Sequence, residues 1–145
     1  MAERSGQCLC GAVKFKAEPK TADDGIHVDA CHCRMCQRLV GGPLLAINLK
    51  AAPVIEDERQ LGVYVSSEWA ERVFCKNCGS NLFYRLRDGS HHSVVAGALD
   101  DRSDLKFTME IFIDEKPDFY AFAGDTQKLT GQQTMEMFAG EQGSN

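Results

Sequence analysis

The chain has 145 residues, 43% of them hydrophobic, and a formal net charge of −5. This length suits a single domain over residues 1–145, and the acidic balance disfavours a nucleic-acid partner because phosphate attracts a basic surface. No apolar run approaches the roughly 18 residues that a membrane helix needs, so we expect no membrane partner.

Alternating patterns of apolar and polar residues run along most of the chain. Such alternation predicts half-buried strands at 13–17, 26–30, 61–65 and 107–113, and the runs at 44–49, 82–86 and 93–99 are predicted to be strands as well. In segment 107–113, the apolar residues are expected to form core and to alternate with polar ones; the core set is Phe107, Met109, Ile111 and Ile113, and the polar residues are Thr108 and Glu110.

Helical patterns are scarce in the sequence. Short helical turns are expected only near residues 33–39 and 126–138, and the polar tail 139–145 is expected to fray. The predicted fold class is therefore mainly β, with antiparallel sheets.

The seven cysteines fall into three tight groups. The first ten residues lack the apolar stretch of a signal peptide, so we expect a cytoplasmic protein, where thiols stay reduced. An odd number of cysteines in that compartment is a poor disulfide framework. The grouping favours metal ligands over buried inert thiols.

Two of the groups form one predicted four-cysteine site. Cys8 and Cys10 supply two thiolates, and Cys75 and Cys78 supply two more, which makes a closed tetrahedral site of the kind that holds structural zinc. Gly79 permits the positive φ that follows a tight turn. The competing interpretation, a redox Cys-x-x-Cys, needs a strand-to-helix context that the residues after Cys78 do not offer.

The third group, Cys31, Cys33 and Cys36, has three potential ligands. Three thiolates leave an open position on a tetrahedral zinc, available for water or substrate. On a strand, His32 points away from its two cysteine neighbours, so hydrogen bonding or packing on the reverse side is favoured over ligation. A zinc ion with three thiolates suits a soft external thiol as its fourth ligand.

The residues around these groups carry a family resemblance. The segments GQCLCGAVKFKAE, ACHCRMCQR, FCKNCGSNLFYRL, GALDD and EIFIDEKPDFYAF resemble the glutathione-dependent formaldehyde-activating family, which also includes centromere protein V. The resemblance implies a β-tent of antiparallel sheets around a structural zinc. It also implies that Cys31, Cys33 and Cys36 hold a catalytic zinc.

The family's reaction joins formaldehyde to glutathione and gives S-(hydroxymethyl)glutathione, formally a carbon–sulfur lyase running in reverse. The resemblance thus implies a zinc-dependent lyase or synthase with glutathione as co-substrate. Arg34 and Arg38 could bind its carboxylates, and Gly41 and Gly42 could let backbone N–H groups approach it. For these residues a solvated surface charge and a plain turn before Pro43 remain the alternatives.

Two functions of other classes stay open. One is a non-enzymatic zinc module that carries glutathione or binds a protein partner. The other is a thiol redox sensor that uses Cys31, Cys33 and Cys36. An exposed trio beside a pocket would favour the enzyme, a buried trio a structural role, and a disulfide within the trio the sensor.

Overall fold

The computed structural model describes residues 3–143, and these residues are mainly strands. The strands are β1 Arg4–Gln7, β2 Lys14–Ala17, β3 Ile26–Cys31, β4 Leu44–Asn48, β5 Val54–Ile55, β6 Leu61–Val65, β7 Ala70–Cys75, β8 Asn81–Leu86, β9 His92–Val95, β10 Leu105–Ile111 and β11 Gln127–Lys128. The helices are α1 Arg34–Val40 and α2 Gly131–Gly143. The predicted mainly-β class is confirmed.

The described residues group into two compact units. The first unit comprises residues 3–27 and 46–106, and the second comprises residues 28–45 and 107–143. The prediction that residues 1–145 form one domain stays a prediction. Within the described range, no helix is long and apolar enough to cross a membrane.

The first unit is built from antiparallel strand pairs. Strands β1, β2 and β5 form a small sheet, and the order β9-β8-β7-β6 forms a meander in which each strand pairs with the next. Along β2 the side chains of Phe15 and Ala17 are buried while Lys14 and Lys16 are exposed, as the alternation predicts. Phe15 packs edge-on against Phe83, with ring centroids 4.9 Å apart.

The second unit carries both helices. Helix α1 begins at Arg34, with Cys33 as its N-cap, and ends at Val40, with Gly41 as its C-cap at a left-handed φ of +83°. This helix confirms the helical turn predicted near residues 33–39. Strands β10 and β11 pair in parallel, so pairing in the chain is mixed rather than purely antiparallel.

The second predicted helix starts later than its pattern suggests. Strand β11 occupies Gln127–Lys128, and α2 begins at Gly131 because Thr130 and Gln133 form a reciprocal capping box. The backbone N–H of Gln133 donates to Thr130 Oγ1, and the N–H of Thr130 donates to Gln133 Oε1. The helix continues to Gly143, and residues 144–145 of the predicted tail lie outside the described residues.

Candidate metal centres

In the first unit, four cysteine sulfurs lie close together. The Sγ atoms of Cys8, Cys10, Cys75 and Cys78 are all within 4.8 Å of one another. Cys8 Sγ is 3.7 Å from Cys10 Sγ, which is 3.8 Å from Cys75 Sγ. A tetrahedral zinc with bonds of about 2.3 Å requires sulfur–sulfur edges of about 3.8 Å. The four thiols therefore fit such an ion.

Two glycine-containing turns place these sulfurs. Gly11 follows the first cysteine pair and Gly79 the second, and both have a φ of +81°. The N–H of Gly79 donates to the carbonyl of Cys75 at 2.8 Å, which closes the turn between β7 and β8. Because the second pair lies in a strand–turn–strand segment, the strand-to-helix context of a redox Cys-x-x-Cys is absent there.

Several N–H groups point at the sulfurs of this cluster. The backbone N–H groups of Ala12 and Val13 donate to Cys10 and Cys8 at 3.4 and 3.3 Å. The N–H of Cys78 donates to Cys75 Sγ at 3.4 Å, and the Asn77 side-chain amide donates to Cys10 Sγ at 3.2 Å. Such bonds favour thiolates over thiols.

The pKa values of the thiols in this cluster reflect those donors. The hydroxyl and backbone N–H of Ser80 lower the pKa of Cys78 to about 5. Burial opposes ionisation of Cys8, but the backbone N–H of Val13 and the thiols of Cys10 and Cys75 leave its pKa below the ordinary value. The N–H of Cys78 lowers the pKa of Cys75, but burial and the neighbouring thiols outweigh it and the net shift is upward. A cation would relieve this competition among four thiolates.

In the second unit, the sulfurs of Cys31, Cys33 and Cys36 form a smaller cluster. They lie within 4.8 Å of one another, and no fourth His, Cys, Asp or Glu of residues 3–143 joins them. Cys31 ends β3, and Cys33 caps α1 by accepting the N–H of Cys36 at 3.4 Å. The end of β3 and the start of α1 thus bring the three sulfurs close together.

Cys31 is the thiol of this cluster whose pKa is most clearly shifted by its neighbours. Hydrogen bonding to Cys33 and Cys36, together with burial, raises the pKa of Cys31 well above its ordinary value. Three thiolates at this spacing repel one another, and a bound cation would offset that repulsion. The three residues therefore also fit a metal ion, with one ligand position left for a group from elsewhere.

His32 lies between two of these cysteines and does not join them. Its side chain is fully buried, with Nε2 2.8 Å from Glu110 Oε1 and Nδ1 2.6 Å from Tyr120 Oη. Both ring nitrogens are therefore engaged away from the sulfurs, in agreement with the expectation for the reverse side of the strand.

The three-cysteine cluster is neither fully exposed nor fully buried. In the three-cysteine cluster, Cys33 is 8% exposed and Cys36 is 3% exposed, while Cys31 is half-buried. In the four-cysteine cluster, Cys10 is exposed. All seven cysteines are free thiols, so the disulfide that would favour the sensor is not formed.

The residues expected to contact glutathione lie on or next to α1. Arg34 and Arg38 are both exposed and one helical turn apart, so their side chains leave the same face. Gly41 donates its N–H to the carbonyl of Gln37 at 2.8 Å and so ends the helix. A Cβ added at Gly41 or Gly42 would meet no atom within 4 Å. The structure thus gives Gly41 a helix-capping role, and its contact with glutathione stays a prediction.

Several neighbours of the three-cysteine cluster are far away in sequence, and sequence patterns miss them. Glu115 Oε1 accepts the backbone N–H of Arg34 at 2.9 Å, and the Gln37 amide donates to the carbonyls of His32 and Glu115. Glu110 belongs to β10, where alternation predicts an exposed polar position, yet it is 2% exposed. Phe107, Met109 and Ile111, the expected core residues of this strand, are only half-buried, so its period-two pattern gives no signal for the buried Glu110.

Fold and clusters together define a mainly-β protein with two cysteine sites suited to metal ions. Residues 3–115 match the family described as glutathione-dependent formaldehyde-activating enzyme. The chain belongs to this family, as its sequence resemblance predicts.

Relatives agree with this membership, and a solved structure shares the fold. The chain is 34% identical over 140 residues to an uncharacterized lyase of Schizosaccharomyces pombe, covering 94% of this chain and 97% of the relative. It is 29% identical over 128 residues to a putative glutathione-dependent formaldehyde-activating enzyme of Halomonas elongata. That match covers 79% of this chain and 77% of the relative. A crystal structure of a Rhodobacter sphaeroides protein superposes with a TM-score of 0.51 at 24% identity, over 66% of this chain and 87% of that one. That likeness concerns the fold.

Proposed function

We propose that the protein is a zinc-dependent carbon–sulfur lyase or synthase that acts on a glutathione–aldehyde adduct such as S-(hydroxymethyl)glutathione. The observation that carries the proposal is the three-sulfur cluster, whose described surroundings supply no fourth ligand. Family membership and the names of the relatives support the substrate class.

The chemistry of the reaction matches a metal site with one open ligand position that a substrate sulfur can occupy. In the synthase direction, the glutathione sulfur forms a bond to the formaldehyde carbon, the thiol loses its proton and the carbonyl oxygen gains one; the lyase direction reverses this. Zinc bound to Cys31, Cys33 and Cys36 would supply a soft ligand position that favours the thiolate form of a substrate thiol.

The α1 face would bind the rest of the peptide. Glutathione carries two carboxylates, and Arg34 and Arg38 present two guanidinium groups from one helix face. In a chain with a net charge of −5, local cations of this kind are needed to attract an anionic tripeptide.

A second candidate is a non-enzymatic zinc module that carries glutathione or binds a protein partner. The burial of Cys33 and Cys36 favours it, because buried sulfurs suit a metal that holds structure. The two candidates differ in turnover, since only the enzyme accelerates formation of the adduct.

The test is exchange kinetics with labelled formaldehyde. Carbon-13 NMR of formaldehyde and glutathione at equilibrium measures the rate of carbon–sulfur bond formation, with and without zinc-loaded protein. We expect acceleration by the wild type and none by Cys33→Ser. An exchange rate that equals the spontaneous rate, with glutathione nevertheless bound, would reject the enzyme in favour of the carrier.

A further inference from the structure

A buried polar network lies directly behind the three-cysteine cluster. His32, placed between Cys31 and Cys33, is 0% exposed, and Glu110 is 2% exposed. An ionised carboxylate at such a depth is costly unless it is paired and hydrogen-bonded. A buried charged group is weak evidence for a role in fold stability, so the place of this carboxylate behind the cysteine segment points to another role.

The network holds every polar group of His32. The backbone N–H donates to the carbonyl of Ile111 at 3.1 Å, and the carbonyl accepts the Gln37 amide at 2.7 Å. Nε2 donates to the Glu110 carboxylate at 2.8 Å, and Nδ1 lies 2.6 Å from the hydroxyl of Tyr120. With four contacts, neither the ring nor the peptide groups of this residue can turn independently.

The carboxylate partner is itself fixed. Oε2 of Glu110 accepts the hydroxyl of Thr126 and lies 3.7 Å from the ammonium group of Lys128. These contacts hold the pKa of Glu110 below its ordinary value despite the opposing effect of burial. The acceptor that faces His32 is therefore both ionised and immobile.

Fixing His32 also fixes the sulfurs on either side of it. Cys31 and Cys33 share peptide bonds with His32, so its orientation sets where their side chains leave the backbone. Cys33 caps α1 and accepts the N–H of Cys36, so the position of Cys33 carries over to the third sulfur.

We propose that His32 and Glu110 are positioning residues, which hold Cys31, Cys33 and Cys36 in ligand geometry before a metal ion arrives. This inference rests on the proposed function, since it takes the three cysteines as the functional metal site. Neither residue touches the metal or the substrate; they act through the backbone of the cysteine segment. The four-cysteine cluster, built from other elements, is independent of them and serves as a control within each molecule.

The test is metal affinity of Glu110→Ala, measured without any assay of turnover. Protein that retains its tightly bound zinc is titrated with Co²⁺, whose d–d absorption reports tetrahedral thiolate ligation, and zinc affinity is measured by competition with a chelator. We expect affinity at the three-cysteine site to fall by about 10–100-fold, as for other partners that orient metal ligands, with altered d–d bands. The four-cysteine site should keep its zinc.

Two further variants separate a loss of ligand positioning from a general destabilisation of the fold. Glu110→Gln keeps an acceptor facing Nε2 and should restore most of the affinity and the wild-type Co²⁺ spectrum. Glu71→Ala removes a half-buried carboxylate that accepts from Arg85 at 2.8 Å in the first unit, and it should leave both metal sites unchanged.

The outcomes distinguish this inference from the proposed function. If the wild-type trio binds no metal, both fail. If it binds and a folded Glu110→Ala binds equally well, the positioning role alone is overturned. If Glu110→Ala does not fold, Tyr120→Phe decides: this change removes only the hydroxyl at Nδ1, and an unchanged Co²⁺ spectrum and affinity would overturn the role.

Discussion

The two cysteine clusters are assembled in different ways. The four-cysteine cluster joins two turns that lie about 65 residues apart in sequence, and N–H groups of those turns donate directly to the sulfurs. The three-cysteine cluster uses residues 31–36 only, and the adjoining buried network contacts the residue between its cysteines. The first cluster ties distant chain segments together, whereas the second closes no long loop.

This difference indicates whether each metal ion would contribute to stability or to activity. An ion in the four-cysteine cluster would cross-link the start of the first unit to its central hairpin, so its binding energy would count as folding energy. An ion in the three-cysteine cluster would bind a segment already held by a strand, a helix and His32. We therefore expect the first ion to govern stability and the second to govern activity.

The largest expected effect comes from removing one sulfur from each cluster. Cys75→Ser should lower the free energy of unfolding by several kcal/mol, on the order of what a structural zinc contributes. Cys33→Ser removes a sulfur of similar burial and should leave the melting temperature close to the wild type while abolishing acceleration of adduct formation. Calorimetric melting of both zinc-loaded variants makes the comparison, and equal losses would remove the distinction between the clusters.

A smaller effect is expected at the arginines of α1. Arg38→Ala should weaken glutathione binding by about 1–3 kcal/mol if its guanidinium binds a carboxylate directly. Methylation of the glutathione sulfur should weaken binding further, because a thioether is a poorer zinc ligand than a thiolate.

Isothermal titration of both proteins with both ligands separates the charge contact from the metal contact. Arg102→Ala, which changes an exposed arginine of the first unit, is the control and should bind like the wild type. If S-methylglutathione binds as tightly as glutathione, the three-cysteine site does not anchor the thiol.

The smallest effect should come from a matched pair of glycines. Gly79 and Gly41 have φ values of +81° and +83°, and a Cβ at either position would meet no atom within 4 Å. Alanine at each should therefore cost only backbone strain, about 1–2 kcal/mol. Because Gly79 shapes the Cys75–Cys78 turn, Gly79→Ala alone should also release zinc from the four-cysteine cluster at a lower chelator concentration. Equal zinc retention in the two variants would show that this turn does not set the metal geometry.

Local patterns predicted much of the fold and both clusters. Strand β6 occupies the predicted residues 61–65, and the spacing of the cysteines predicted which sulfurs come together. The predicted strand 93–99 instead ends at Val95 and continues as a 3₁₀ turn at Ala96–Ala98. A run of apolar residues does not show at which residue the strand ends.

The buried polar network behind the three-cysteine cluster could not be predicted from the sequence, for a different reason. Alternation treats a polar residue in a strand as solvent-facing, but Glu110 is buried because His32 and Thr126 satisfy its oxygens. Those partners are 78 and 16 residues away in sequence, and only the folded chain brings them together. Tertiary hydrogen bonding thus overrides the local pattern at the place where the site is built.

Staged removal of zinc most directly tests whether the four-cysteine cluster has a structural role and the three-cysteine cluster a functional one. Zinc-loaded protein is treated with increasing chelator, and bound zinc and far-ultraviolet circular dichroism are recorded at each step. We expect one equivalent to leave first with an unchanged spectrum, and we expect Cys33→Ser to lack this first step. Loss of both equivalents together with unfolding would contradict this expectation.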